Sequence, residues 1–75
     1  MTATLPKAGT VWVNGVERPL GTEGLIGLLR DLGIDPAARG IAVALNGAVA
    51  PRADWATTTL RDGDSVEVVK LFAGG

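Results

Sequence analysis

The stretch TVWVNGVERPLGTEGLIGLLRDLG, residues 10–33, decides the fold because it holds a β-hairpin followed directly by a helix. Its first four residues are β-branched or aromatic, which is typical of a strand. The Asn14-Gly15 pair that follows is the strongest short signal for a hairpin turn. Residues 16–20 are the predicted return strand, and Pro19 places that strand at a sheet edge because proline has no N–H to donate.

A single amphipathic helix is predicted behind the hairpin, with Thr22 as its N-cap and Gly33 as its end. Gly24 and Gly27 inside it each cost about 1 kcal/mol relative to alanine, so the helix has to depend on tertiary packing. Its apolar face is made of leucines at helical spacing: Leu25, Leu28, Leu29 and Leu32.

Beyond the helix, the sequence predicts a second pair of strands. Residues 41–45 form a short apolar run, which is expected to be a strand buried on both faces. Asn46-Gly47 is a second hairpin signal, and residues 48–50 are the predicted return strand. Residues 54–59 are expected to be irregular or to form a short helical turn.

A last strand is predicted over residues 65–72, after a tight turn at residues 62–64. Its alternation blurs at Val68-Val69, which indicates either a bulge or burial on both faces. The resulting order is ββαβ(β)β, in which the last strand lies parallel to the first. This order predicts an α+β fold of the β-grasp (ubiquitin-like) type, a mixed sheet of about five strands packed on one main helix.

The composition limits what the protein can do. A chain of 75 residues suits one small domain, and the absence of cysteine excludes a disulfide scaffold and a cysteine-based zinc site. The net charge is −1 without a basic stripe, so nucleic acid is not an expected partner. Histidine, cysteine and tyrosine are absent, which leaves a poor set of groups for an autonomous enzyme.

The sequence contains neither an apolar run of the length that spans a bilayer nor a signal-peptide pattern, so the expected location is cytoplasmic, with no membrane partner. We divide the chain into a flexible lead-in at residues 1–9, a domain at residues 10–72 and an exposed C-terminal tail at residues 73–75.

Two segments carry a family resemblance. RGIAVALNGAVAPRADW (residues 39–55) and LRDGDSVEVVKLFAGG (residues 60–75) resemble the ThiS sulfur carriers of thiamine biosynthesis. The family pattern runs through Asn-Gly, Pro-Arg-x-x-Trp, Asp-Gly-Asp and a final Gly-Gly, and the likeness covers nearly the whole chain from residue 10. Ala50 departs from this pattern, since the family usually has valine before Pro-Arg. Residues 71–73 lie in the stretch before the glycines, whose sequence varies within the family.

The resemblance implies that a ThiF-like adenylating enzyme uses ATP to activate the α-carboxylate of Gly75. Sulfur from a donor such as a cysteine desulfurase relay then gives a thiocarboxylate, which a ThiG-like thiazole synthase consumes. It implies no cofactor bound to the chain itself. Ala73, Gly74 and Gly75 are expected to thread the partner active site, because glycine lacks a Cβ and lets the backbone approach a nucleotide closely.

Three residues are candidates for docking partners: Leu71, Phe72 and Arg52. Phe72 could equally belong to the core, and Arg52 could instead pair with a nearby acid. Trp12 and Trp55 are expected to pack in the core or at its rim.

Asp62 and Asp64 are interpreted as turn residues, because a lone Asp-Gly-Asp lacks the rest of a calcium loop.

Two other functions stay open. The small subunit of molybdopterin synthase has a similar fold and the same Gly-Gly end, although the Pro51-Arg52-x-x-Trp55 element and the short chain favour the thiamine carrier. An inert ubiquitin-like binding module is the alternative from another class, and it requires nothing of Gly75.

Overall fold

The computed structural model describes residues 9–71, so predictions that fall on residues 1–8 or 72–75 lie outside the described part of the chain. The described residues form five strands, one α-helix and one 3-10 helix. In chain order these are β1 (Thr10–Val13), β2 (Val16–Pro19), α1 (Gly24–Asp31), β3 (Ile41–Leu45), β4 (Ala48–Val49), the 3-10 helix (Arg52–Thr57) and β5 (Ser65–Lys70).

The five strands form one mixed sheet in the order β2-β1-β5-β3-β4. β5 lies at its centre, parallel to β1 and antiparallel to β3, while β2 and β4 form the edges. The predicted α+β arrangement, with the last strand beside and parallel to the first, is therefore confirmed. Pro19 lies in the edge strand β2, as its missing N–H predicts.

Both Asn-Gly pairs form the predicted hairpin turns. Asn14 and Gly15 have φ of 50° and 81°, and Asn46 and Gly47 have φ of 51° and 84°. Positive φ at both central residues is the type I′ geometry that matches the twist of paired strands. The two asparagines also bind the central strand, because their Oδ1 atoms accept backbone N–H groups of β5 at 2.8 and 2.9 Å.

The start of α1 differs from the prediction. Glu23, not Thr22, occupies the N-cap position, and no side chain caps the helix there. Instead the N–H of Leu25 donates to the carbonyl oxygen of Thr58 at 3.1 Å, in the segment after the 3-10 helix. The Thr22 prediction is wrong because a distant carbonyl takes over the role of the local cap.

The end of α1 confirms the prediction for Gly33, whose φ is 79°. Its N–H donates to the carbonyl of Arg30, and the N–H of Ile34 donates to the carbonyl of Leu29, both at 2.9 Å. This pair of bonds is the Schellman arrangement, which needs a left-handed residue that glycine adopts at no steric cost.

The core lies between α1 and one face of the sheet. Leu25 and Leu29 are fully buried, and Trp55 of the 3-10 helix closes one side of the core at 3% exposure. The complete set of buried apolar residues is Val11, Val13, Leu25, Leu28, Leu29, Ile34, Val43, Trp55 and Val66. A core of this size is what a domain of about 75 residues can build without disulfides.

One-sided packing corrects two expectations about the strands. In β3, Val43 faces the core at 2% exposure while Ala42 and Ala44 are only partly covered, so the strand is not buried on both faces. The β3–β5 register runs without interruption, so there is no bulge at Val68-Val69. Val69 is 50% exposed on the face opposite the core, because the described helices cover only one side of the sheet.

Candidate functional site at the root of the C-terminal tail

The last described residue, Leu71, is held at a close backbone contact. Its N–H donates to the carbonyl oxygen of Gly40 at 2.5 Å, while its side chain is 61% exposed. Gly40 has φ of 76°, and a Cβ at that position would collide with the carbonyl oxygen of Leu71. Only glycine both adopts this positive φ without strain and leaves room for the Leu71 carbonyl oxygen. We call Gly40 and Leu71 the tail root, since the predicted tail continues from it.

Arg52 fixes the loop that leads to the tail root. Its guanidinium donates to the backbone carbonyls of Pro36 and Ala38, which precede Gly40 in the α1–β3 connection. The same group lies 4.4 Å from the centre of the Trp55 ring. A planar guanidinium can bind two carbonyls and stack on an aromatic ring at once, which lysine cannot do.

Trp55 is in turn anchored by its Nε1–H, which donates to the carbonyl of Ala50 at 2.7 Å. The Pro51-Arg52-x-x-Trp55 element therefore forms a clamp between the 3-10 helix and the loop before β3. The sequence predicts that Arg52 either docks a partner or pairs with a nearby acid. Among the described residues its guanidinium has no acidic partner, and it is already bonded to the two loop carbonyls. Its role in docking stays a prediction. The prediction that Trp55 packs in the core is confirmed.

The face of the sheet opposite α1, which we call the outer face, exposes apolar side chains. Register places Trp12 with Ser65, Val69 with Ala42, and Val49 with Ala44, so these residues point to the same side. Trp12, Val69 and Val49 are 43%, 50% and 78% exposed. Trp12 thus lies outside the core, because its neighbours Val11 and Val13 take the inward positions of β1.

The predicted site residues divide into two groups. Leu71 and Arg52 lie in the described residues and are linked through the loop that contains Gly40. Phe72, Ala73, Gly74 and Gly75 lie outside the described residues, so their roles stay predictions.

Asp62 and Asp64 lie in the turn, as predicted. The Asp64 carboxylate accepts the N–H of Arg61 within the turn, and the Asp62 carboxylate accepts the N–H of Thr10 at the start of β1, both at 2.8 Å. Within residues 9–71, we find no group of three or more acidic side chains, histidines or cysteines placed to hold a metal ion. No helix in the same range is long and apolar enough to cross a membrane.

Sequence reasoning missed Gly40 as a residue that shapes the site. The available signal was a glycine immediately before an apolar strand, which often marks a positive φ or a close backbone approach. The contact with Leu71 could not be read from that signal, because the two residues are 31 positions apart in the chain and meet only through the sheet.

The fold and the tail root define a class, the β-grasp proteins in which the central strand leads to the C-terminus. Residues 11–75 match the ThiS family. The chain is 42% identical over 65 residues to the sulfur carrier protein ThiS of Thermus thermophilus, covering 87% of this chain and 98% of that protein. This chain belongs to the ThiS family.

Two solved structures from Geobacter metallireducens agree with this assignment. The crystal structure of its thiamine biosynthesis protein (ThiS) is 35% identical with a TM-score of 0.70, and covers 88% of this chain and 99% of that one. The solution structure of a thiamine biosynthesis protein from the same organism is 32% identical with a TM-score of 0.69, and covers 88% and 87%.

Proposed function

We propose that this chain is a sulfur carrier protein of thiamine biosynthesis whose Gly75 carboxylate is converted to a thiocarboxylate that supplies sulfur for thiazole formation. The observation that carries the proposal is the extent of the family match, which runs through residue 75 and so includes the terminal Gly-Gly pair. The chain acts as a protein co-substrate and is not itself the catalyst.

The chemistry begins at a group that needs no activation by a base. A free α-carboxyl has a pKa of about 3.3–3.7 and is ionised at pH 7. One carboxylate oxygen attacks the α-phosphorus of ATP in a ThiF-like enzyme, and pyrophosphate leaves. The outer sulfur of a persulfide on the donor then attacks the acyl carbon and AMP leaves. A second thiol of the relay cleaves the S–S bond of the resulting acyl persulfide, which forms a disulfide and releases the thiocarboxylate. ATP is bound and used by the partner, not by this chain.

The described residues support this role by fixing where the tail begins. Leu71 is bonded to Gly40, so Gly75 lies four residues beyond a defined point and within about 13–14 Å of it at full extension. We propose Ala73, Gly74 and Gly75 as the part enclosed by the partner. Leu71 and Phe72, together with the outer face, are the proposed docking surface.

The test is intact mass with and without a thiol alkylator, after incubation with ATP, the cognate adenylating enzyme and a sulfur donor. The chain has no cysteine, so an alkylated adduct mapped to Gly75 identifies a thiocarboxylate. Deleting Gly75, or adding one residue after it, is expected to abolish the adduct while thermal stability stays nearly unchanged. A native chain that never forms an adduct would instead be the inert binding module.

The acceptor separates the two carrier functions. The thiocarboxylate form is expected to lose its sulfur to a ThiG-like thiazole synthase and not to the large subunit of molybdopterin synthase. Transfer to the latter alone would identify the molybdopterin carrier instead.

A further inference from the structure

A groove of about 380 Å³ lies on the helix side of the sheet, beside the end of α1. Its floor is apolar, with Val13 and Ile34 buried and Val68 partly covered. Val16 forms part of the rim and is 58% exposed, which is high for an aliphatic side chain on the core side of a sheet. An exposed apolar rim over an apolar floor is typical of a surface that a partner covers.

The groove differs from the outer face. Register pairs Val16 with Val13 and Arg18 with Val11, so both β2 residues point to the helix side of the sheet. Lys70 pairs with Ile41 and points to the same side, one position before Leu71. The groove therefore lies across the sheet from Trp12, Val49 and Val69.

The charged residues that line the groove indicate the chemistry of the partner that it fits. Arg18 and Lys70 line it, are both exposed, and have no acidic neighbour among the groove's lining residues. A second cavity of about 260 Å³, between α1 and the Val11–Pro19 end of the first hairpin, has Glu23 and Asp31 in its lining and no basic residue. The whole chain has a net charge of −1, so the positive charge of the groove is local to these two basic residues and is not a property of the whole surface.

We propose that this groove binds the adenylating enzyme of the proposed function, which would contribute an apolar side chain flanked by carboxylates. The inference rests on that function and adds a second contact surface to it. Lys70 is five residues before Gly75, so an enzyme that encloses the terminal carboxylate lies within about 17–18 Å of the groove. Any such enzyme meets this end of the domain, and the basic groove is complementary to an acidic and apolar segment.

The experiment measures binding of the cognate adenylating enzyme to the full chain by titration calorimetry. R18E and K70E are each expected to weaken binding about tenfold, and the double variant more, with less dependence on salt than the native chain. R61E is the matched control, because Arg61 is also exposed but does not line the groove. It is expected to change the affinity by less than about twofold, as a distant surface charge does. All variants should keep the native melting temperature.

Methyl NMR gives a second readout on the native chain. Adding the enzyme is expected to shift or broaden the signals of Val16, Ile34 and Val68 in addition to any change on the outer face. Equal losses for R61E and K70E, or perturbation confined to Val49 and Val69, would overturn the proposal. It is also overturned if these groove signals change on deletion of residues 72–75 from the free chain, or with the concentration of the free chain. Those results would make the occupant the chain's own tail or a second copy.

The outcomes separate the two proposals. If the thiocarboxylate forms and the charge variants bind like the native chain, only the groove proposal fails. If the native chain neither binds the enzyme nor forms a thiocarboxylate, the proposed function fails and the groove proposal fails with it.

Discussion

Arg52 organises the loop that leads to the tail root. It holds two carbonyls of the α1–β3 loop and stacks on Trp55, and that loop ends at Gly40 beside Leu71. The Pro-Arg-x-x-Trp motif is therefore explained by packing, because the spacing of three residues brings the Arg52 guanidinium onto the ring of Trp55.

Arg52→Ala is expected to lower the free energy of unfolding by about 2 kcal/mol, because charged hydrogen bonds to carbonyls and the contact with Trp55 are lost together. Arg52→Lys should lose about half as much, since an ammonium cannot reproduce the planar fork. Urea denaturation measures both. Arg39→Ala is the control, because Arg39 is exposed and makes no side-chain hydrogen bond in the described residues. An equal loss at Arg39 would refute the clamp.

Gly40→Ala tests the close approach at the tail root. Gly47 is a matched control: its φ of 84° resembles the 76° of Gly40, but no atom lies within 4 Å of a Cβ built there. Both changes are expected to cost about 1–2 kcal/mol for the left-handed backbone. Gly40→Ala should cost at least about 1 kcal/mol more and should speed amide exchange at Leu71. Identical results for the two variants would mean that the contact with Leu71 is not needed.

At the scale of elements, the sequence predicts correctly the features that local backbone preferences decide. It does not predict the features that contacts between distant residues decide. Both Asn-Gly turns and the helix end at Gly33 follow from backbone preferences of the residues themselves, so the sequence predicts them correctly. The helix start could not be predicted, because its cap is the carbonyl of Thr58, 33 residues beyond Leu25. The exposure of Val69 was also missed, since one-sided coverage of a sheet is a property of the assembled layers.

Gly24→Ala separates helix propensity from tertiary context. In an isolated helix this change would stabilise by about 1 kcal/mol. Here Gly24 has φ of 67°, and a Cβ would lie 2.7 Å from the carbonyl oxygen of Thr58. We expect a lower free energy of unfolding, and a larger loss than for Gly33→Ala, where φ is 79° and no atom lies within 4 Å. A stabilised Gly24→Ala protein, measured by thermal denaturation, would show that propensity dominates.

At the scale of the whole molecule, the proposed function falls on the C-terminal residues, whereas the stability of the described residues comes from the buried core. The prediction that Gly75 is the group that reacts comes from the family resemblance, and no physical argument from composition could have made it alone. The groove and the tail root were not predicted because each combines residues from distant segments: Val16, Ile34 and Val68 in the first, Gly40 and Leu71 in the second.

A pair of leucine truncations tests this separation. Leu29 is fully buried and Leu71 is 61% exposed. Leu29→Ala is expected to cost about 3–5 kcal/mol, a large share of the stability of so small a domain. Leu71→Ala should cost less than about 0.5 kcal/mol yet reduce the yield of thiocarboxylate. Calorimetric melting together with the alkylation assay measures both effects. Full carrier activity of Leu71→Ala would remove Leu71 from the docking surface.

The central position of β5 has a mechanical consequence. β5 pairs with β1 at Ser65 and Val66 and with β3 from Val66 to Lys70, so a pull on the C-terminus would act along a strand that two neighbours hold at its start and β3 holds along its length. Tension in that direction loads the ladder bonds side by side in shear, and they must break together. Under the proposed carrier function, an enzyme that draws in the C-terminus is therefore expected to leave the body of the protein intact.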